Sequence, residues 1–200
     1  MKMKVLLCAL LVCLLGITGC SFSCDFGGDE EVETETQEVV SEEPVEIGEG
    51  MQRYENPAFA VSYPEDWIYE KPEEHILIFS GREGTEAYDA TVNVQTIELG
   101  IAYQNLEDIY TDYRDQIASV GGRISDMGQE DFIQDGETYD SIGFFAEYED
   151  GVVFNQFIVA VDRKDGYLQQ ISYTAPEHIY EQYEDTAINI MDSLELIKGE

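Results

Sequence analysis

From residue 59 onwards, apolar and polar positions alternate mostly with a period of two. Phe59, Val61 and Tyr63 share one face before Pro64 interrupts, Ile76 and Ile78 oppose Leu77 and Phe79, and Ala90, Val92, Val94 and Thr96 line up together. A period of two places alternate side chains on opposite faces of an extended chain, so these segments are expected to be strands. Ile142, Phe144, Ala146 and Tyr148 repeat the pattern and run into Asp150-Gly151, a dipeptide suited to a tight hairpin turn. Val153 to Val161 follows at once, Lys164 to Gly166 turns again, and Tyr167, Gln169, Ile171 and Tyr173 alternate once more. Three strands joined by turns this short can only be antiparallel neighbours.

Two segments change to helical spacing. After Asn105, whose side chain can accept from the first free N–H groups of a helix, Leu106, Ile109, Tyr110, Tyr113, Ile117 and Val120 form one stripe that ends at Gly121-Gly122. From Pro176 onwards Ile179, Tyr180, Tyr183, Ala187, Ile190, Met191 and Leu194 face one way, and Glu181, Glu184, Asp185 and Asp192 the other. Each helix needs an apolar surface to cover. The strands of residues 140–161 are apolar on both faces in places, as Phe144 beside Phe145 and Val152 beside Val153 show, so both faces of the sheet need a cover. The expected class is α+β, an antiparallel β-sheet flanked by helices on both faces, in an α/β/α sandwich.

The N-terminus follows a different rule. Lys2 and Lys4 precede an unbroken apolar run from Val5 to Ile17, which is shorter than the roughly 20 residues a membrane-spanning helix requires. Thr18 and Gly19 then lead to Cys20. An aliphatic residue, two small residues and a cysteine resemble the lipobox of bacterial lipoproteins, which implies cleavage before Cys20 and a diacylglyceryl group on its sulfur. Residues 1–19 are thus expected to be a lipoprotein signal peptide, 20–50 a lipidated cysteine with an acidic disordered tether, and 51–200 the domain. Between Ser21 and Gly50 there are 11 acids and no Lys or Arg, too polar a stretch to offset the cost of ordering its backbone. Of the four cysteines only Cys24 would remain as a thiol in the mature chain, and residues 25–200 contain none. Thiol catalysis and thiolate zinc ligation are thereby removed from the domain, and the expected setting is the extracytoplasmic face of a membrane.

Charge narrows the partners. The 200 residues carry 10 Lys plus Arg against 43 Asp plus Glu, a formal charge of −33. Nucleic-acid affinity arises largely from cationic side chains that displace condensed counterions, so nucleic acid is not an expected partner. The domain itself holds 32 acids against 8 basic residues, so a protein partner is expected to present a basic or neutral face.

The order of features resembles a family. "FAVSYPEDW" over Phe59 to Trp67, a strand pair, "NLEDIYTDYRDQI", the three-strand meander and a closing helix ending in "IMDSLEL" together resemble the PsbP-like superfamily over residues 52–197. That superfamily includes the photosystem extrinsic protein, the Ran-binding Mog proteins, proteins of the DcrB type and many bacterial lipoproteins. The most specific element is Tyr63-Pro64, two polar residues and Trp67. The resemblance implies a fold and carries over no functional residue.

Chemistry has few carriers. His75 and His178 are the only histidines and lie about a hundred residues apart, each expected to be solvated. No G-x-S-x-G elbow and no phosphate-cradling glycine loop occurs. No catalytic, cofactor or metal residue is therefore assigned. Trp67, re-entering the core after the proline turn, is expected to pack beneath the first strands. Among 13 tyrosines, Tyr69, Tyr88, Tyr103 and Tyr139 fall at expected loops or strand ends, where a phenol offers apolar area with a polar tip. They are the candidate partner contacts, alongside Cys20 as the lipid anchor. The expected function is a non-catalytic binding or accessory module; the alternative is an envelope hydrolase using a carboxylate pair.

Overall fold

The computed structural model describes residues 45–48, 50–73, 75–100, 103–149 and 152–197. The expected signal peptide, Cys20, Cys24 and the tether up to residue 44 lie outside the described residues, as does the Asp150-Gly151 turn. Among the described residues the strands form two sheets. β1 (Val45–Gly48), β2 (Met51–Glu55), β3 (Phe59–Pro64) and β11 (Glu195–Leu196) make a small one in the order β1-β2-β3-β11. The large one has the order β4-β5-β6-β10-β9-β8-β7, built from β4 (Trp67–Glu73), β5 (Ile76–Gly81), β6 (Thr91–Glu98), β7 (Arg123–Gln134), β8 (Glu137–Glu149), β9 (Val153–Asp162) and β10 (Tyr167–Pro176). Every pairing between these strands is antiparallel, and β8, β9 and β10 form the expected meander.

Three features depart from the reading of the sequence. β1 begins at Val45, within the residues 20–50 expected as tether, and Val45 and Glu46 are cross-strand partners of Arg53 and Gln52. β7 has no apolar alternation to announce it; as an edge strand it pairs only with β8. β11 was equally inconspicuous, since it is two residues long and takes its pairing from Phe59 and Ala60 of β3, far away along the chain.

The two helices, α1 (Leu106–Ser119) and α2 (Glu177–Asp192), cover opposite faces of the large sheet. Tyr110 and Tyr113 of α1 lie edge-on to Phe144, with ring centroids 5.5 and 5.3 Å away. Tyr180 of α2 meets Phe145 at 6.1 Å and Tyr173 at 4.6 Å. Adjacent residues in a strand point to opposite faces, so Phe144 and Phe145 assign one helix to each side. Asn105 caps α1 as expected, with Oδ1 accepting from the N–H groups of Glu107 and Asp108 at 2.9 and 3.2 Å. Its end is set by close packing: a Cβ on Gly122 would come within 2.6 Å of Ile117 Cγ2 and 2.8 Å of Tyr148 Cβ.

The small sheet shares the α2 side. Tyr54, Phe59, Val61 and Tyr63 from β2 and β3 join Trp67, Leu77, Phe79, Val92, Val94, Ile171, Tyr173, Ile190 and Met191 in one buried cluster. Arg163, whose side chain is only 7% exposed, fastens the two sheets together. Its guanidinium donates to the carbonyls of Ala58 at 2.8 Å and Ile197 at 3.1 Å, and to Asp165 Oδ2 at 2.9 Å.

Candidate functional site

The segment that carried the family resemblance also builds one wall of a concavity. Pro64, Glu65 and Asp66 form the turn between β3 and β4, which is held when the Glu65 N–H donates to the Gly50 carbonyl at 2.9 Å. Trp67 follows and is 4% exposed, which fulfils the expectation that it packs beneath the first strands. Its partner across the ladder is Gly81. A side chain at Gly81 would collide with Ala87, so glycine there lets the 3-10 turn Glu86–Asp89 lie directly against β5. Thr85 Oγ1 donates to the Arg82 carbonyl at 2.7 Å and keeps the connecting loop tight. On the far side Gln182 Nε2 of α2 donates to Glu86 Oε2 at 3.2 Å.

Between these walls is a half-open cleft of about 850 Å³, with Trp67, Pro64, Ala87 and Tyr183 as its apolar lining and Gln52, Thr85 and Thr186 as its neutral polar groups. Glu65, Asp66 and Arg82 also line it. All three are exposed, and Arg82 Nη2 lies 3.4 Å from the Glu65 carbonyl. Apolar walls with a few placed polar groups are the composition of ligand and side-chain pockets, and the volume falls within their usual range.

The tyrosines distribute unevenly. Tyr103, expected in an accessible loop, is 5% exposed, and its hydroxyl donates to Asp112 Oδ2 at 2.7 Å. Burial and the Asp112 carboxylate push its pKa well up. Tyr139 is 3% exposed, donates to Glu137 Oε2 at 3.1 Å and lies 5.4 Å beneath Lys164 Nζ. Both were expected at loops or strand ends as candidate partner contacts, and both rings are buried, each with its hydroxyl bonded to a carboxylate at the edge of the core. Tyr69 is half-buried in an aromatic group, 5.1 Å from Tyr54 and 6.4 Å from Phe79. Tyr88 is half-buried in the 3-10 turn beside the cleft, and partial desolvation together with Glu70, Glu83 and Asp89 raises its pKa. Tyr183, which its helical spacing assigned to the core, packs half-buried against it and also lines the cleft. No feature of the sequence distinguishes it from Tyr180, which is buried.

His75 and His178 are both exposed, as expected. Among the described residues there is no group of three or more His, Cys, Asp or Glu positioned to hold a metal ion, and no helix is long and apolar enough to cross a membrane. Glu195 is held below the usual carboxylate range by its hydrogen bonds with the Arg53 guanidinium, at 2.8 and 2.7 Å. It serves as an ion-pair partner between β2 and β11.

No protein-family model and no curated protein matches the chain in sequence. The architecture nevertheless has counterparts among solved structures. Cyanobacterial PsbP from Synechocystis superposes with a TM-score of 0.51 at 14% identity, over 74% of this chain and 92% of that one. The fold is PsbP-like. LpqN of Mycobacterium tuberculosis, described as involved in cell envelope biogenesis, covers 74% of this chain and 92% of its own at 12% identity, with a TM-score of 0.48. The Saccharomyces cerevisiae Ran-binding protein Mog1p covers 78% and 95% at 11% identity, with a TM-score of 0.46. At such identities the likeness concerns the course of the backbone, and function has to be argued from the site.

Proposed function

We propose that this protein is a non-catalytic binding or accessory module, tethered by a lipid on Cys20 at the extracytoplasmic face of a membrane, which receives a segment of a protein partner in the Trp67 cleft. The observation that carries the reading is the cleft itself: an apolar floor and wall, with Glu65 and Asp66 exposed beside it. That combination suits a segment pairing one apolar side chain with a Lys or Arg. The acidic surface would speed encounter with such a segment and reject acidic competitors, while the buried apolar contact would govern release. The anchor rests on Lys2, Lys4, the apolar run Val5 to Ile17 and the small residues before Cys20. Two acyl chains of a diacylglyceryl group hold a protein stably where one holds it marginally.

The test is site-specific photocrosslinking in intact cells, from position 186 at the cleft and from the exposed position 119 at the end of α1. Position 186 should give a discrete adduct that disappears when Glu65 and Asp66 are both replaced by Lys, and position 119 should not. Cys20→Ser should move the protein out of the membrane fraction. The same adduct from both positions, or an adduct indifferent to the charge reversal, would overturn the cleft reading. Turnover of an envelope polymer that is lost in Glu65→Gln or Asp66→Asn would replace it with the hydrolase alternative.

A further inference from the structure

The α1 side of the large sheet carries buried polar side chains beside apolar ones such as Phe144, Ile158 and Leu168. The strand register places the polar ones. Gln95 of β6 is the direct partner of Gln170 in β10, and Ser172 follows two residues along the same strand. Thr174, two residues further, is the partner of Gln156 in β9. Directly paired residues and residues two apart share a face, so Gln95, Gln170, Ser172 and Gln156 all point the same way. Gln170 Nε2 donates to the Tyr113 hydroxyl of α1 at 2.7 Å, which identifies that side as the one beneath α1. Gln170, Ser172 and Gln156 are 1%, 0% and 3% exposed.

These groups lack acceptor-side partners. Gln95 Oε1, Gln156 Oε1, Gln170 Oε1 and Ser172 Oγ are each buried with no hydrogen bond. A fifth such atom, Asn155 Oδ1, belongs to the opposite face by the same alternation. Buried oxygens in folded proteins are almost always satisfied, by protein or by an ordered molecule, because leaving them bare forfeits their hydration without return. Four of these bare atoms lie on one face of three adjacent strands. Two of their cross-strand partners are small: Ala160 opposite Gln170 and Ala146 opposite Gln156. The chemistry is specific, since the bare atoms are three amide oxygens and one hydroxyl and the groups named here are all uncharged. Anions are disfavoured, because carbonyl oxygens repel them.

We propose that the space between α1 and strands β6, β10 and β9 is a binding site for neutral hydroxyl donors, held by Gln95, Gln156, Gln170 and Ser172. The site is independent of the Trp67 cleft, which lies on the α2 side, and failure of one leaves the other standing. Hydroxyl donors come from two sources, ordered water and small polyols, and one experiment separates them. In the full chain labelled with nitrogen-15, water-selective cross-relaxation is measured at the side-chain amides of the three glutamines, with and without myo-inositol. Long-lived water at those amides that persists at every inositol concentration identifies water as the occupant. Saturable shifts of the same amides, with loss of the water signal, identify a polyol. The absence of both signals would overturn the proposal. Ser172→Ala supplies the independent arm: an engaged hydroxyl predicts a Tm lower by about 2–4 °C. An unchanged or raised Tm would mean that the oxygen has no bound donor, and the proposal fails.

Discussion

The two faces of the large sheet solve the problem of burial differently. On the α2 side the interior is apolar and aromatic: Phe79 lies 4.8 Å from Tyr63 and 6.4 Å from both Tyr54 and Tyr69. Asn155 Oδ1 is bare there, but Gln169 is satisfied at both ends of its amide. Gln169 is fully buried, its Oε1 accepts from Thr96 at 3.0 Å and its Nε2 donates to the Gln95 carbonyl at 3.0 Å. The next residue, Gln170, points to the α1 side, spends its Nε2 on Tyr113 and leaves its oxygen bare. Two glutamines adjacent in sequence and equally buried thus occupy opposite situations. A strand's alternation decides which face a residue joins, and the partner elements on that face decide whether its polar atoms stabilise the fold or await a ligand.

Alkali should break both faces, and most strongly. Burial raises the phenols of Tyr63 and Tyr180 on the α2 side to about 12 from the ordinary 10.0. Burial does the same to Tyr113 on the α1 side, also to about 12, partly offset by the Gln170 N–H. A group whose folded pKa is raised contributes stability that is complete below its unfolded pKa and is lost as pH climbs towards the folded value. The window is pH 10 to 12, and each two-unit rise corresponds to about 3 kcal/mol. Tyrosinate absorbance should therefore show a late step coincident with loss of circular dichroism. A single smooth titration with the fold intact at pH 12 would show that the rings are not buried.

The next largest effect is confined to one face. Phe79→Ala, at a site fully buried in the aromatic group, should lower stability by about 3–5 kcal/mol in urea unfolding. Because Phe79 belongs to the α2 side, the glutamine amide signals beneath α1 should stay in place. Their movement would show that the two faces form one cooperative packing unit and would erase the distinction drawn above. The smallest effect lies at the edge of the small sheet. Glu195, lowered by Arg53, contributes stability above the unfolded carboxyl value of 4.5 and loses it as pH falls through its folded value. Its side chain is 51% exposed, so Glu195→Gln should cost less than about 1 kcal/mol at neutral pH and flatten the acid limb of the stability curve. A larger loss in denaturant titrations would mark the pair as a main attachment of β11.

Much of this architecture was legible in the chain. The alternation in Ile142 to Tyr148, Val153 to Val161 and Tyr167 to Tyr173 needs only local geometry to be read, and all three segments are strands of the meander. Asn105 and Gly121-Gly122 bracket α1 for equally local reasons, a side-chain acceptor at one end and glycines at the other. β7 and β11 were not legible, because an edge strand and a two-residue strand take their conformation from the partner that bonds them. The cleft was half legible: Pro64 to Trp67 stood out as a motif, while Arg82, Thr85 and Tyr183 come from distant elements that only the folded chain brings beside it.

By itself the sequence determined the period of the meander strands and of both helices, the helix ends, the acidity of the surface and the absence of cysteine from residues 25–200. These depend on a residue and its near neighbours, where sterics, capping and charge act within a turn or two. Tertiary structure alone decided that Tyr103 and Tyr139 are packed, that Tyr183 lines a cleft, and that Gln169 is satisfied while Gln170 is not. Each of those outcomes depends on which atoms another strand or helix brings within about 3 Å of a polar tip, and that distance is set by packing across the fold.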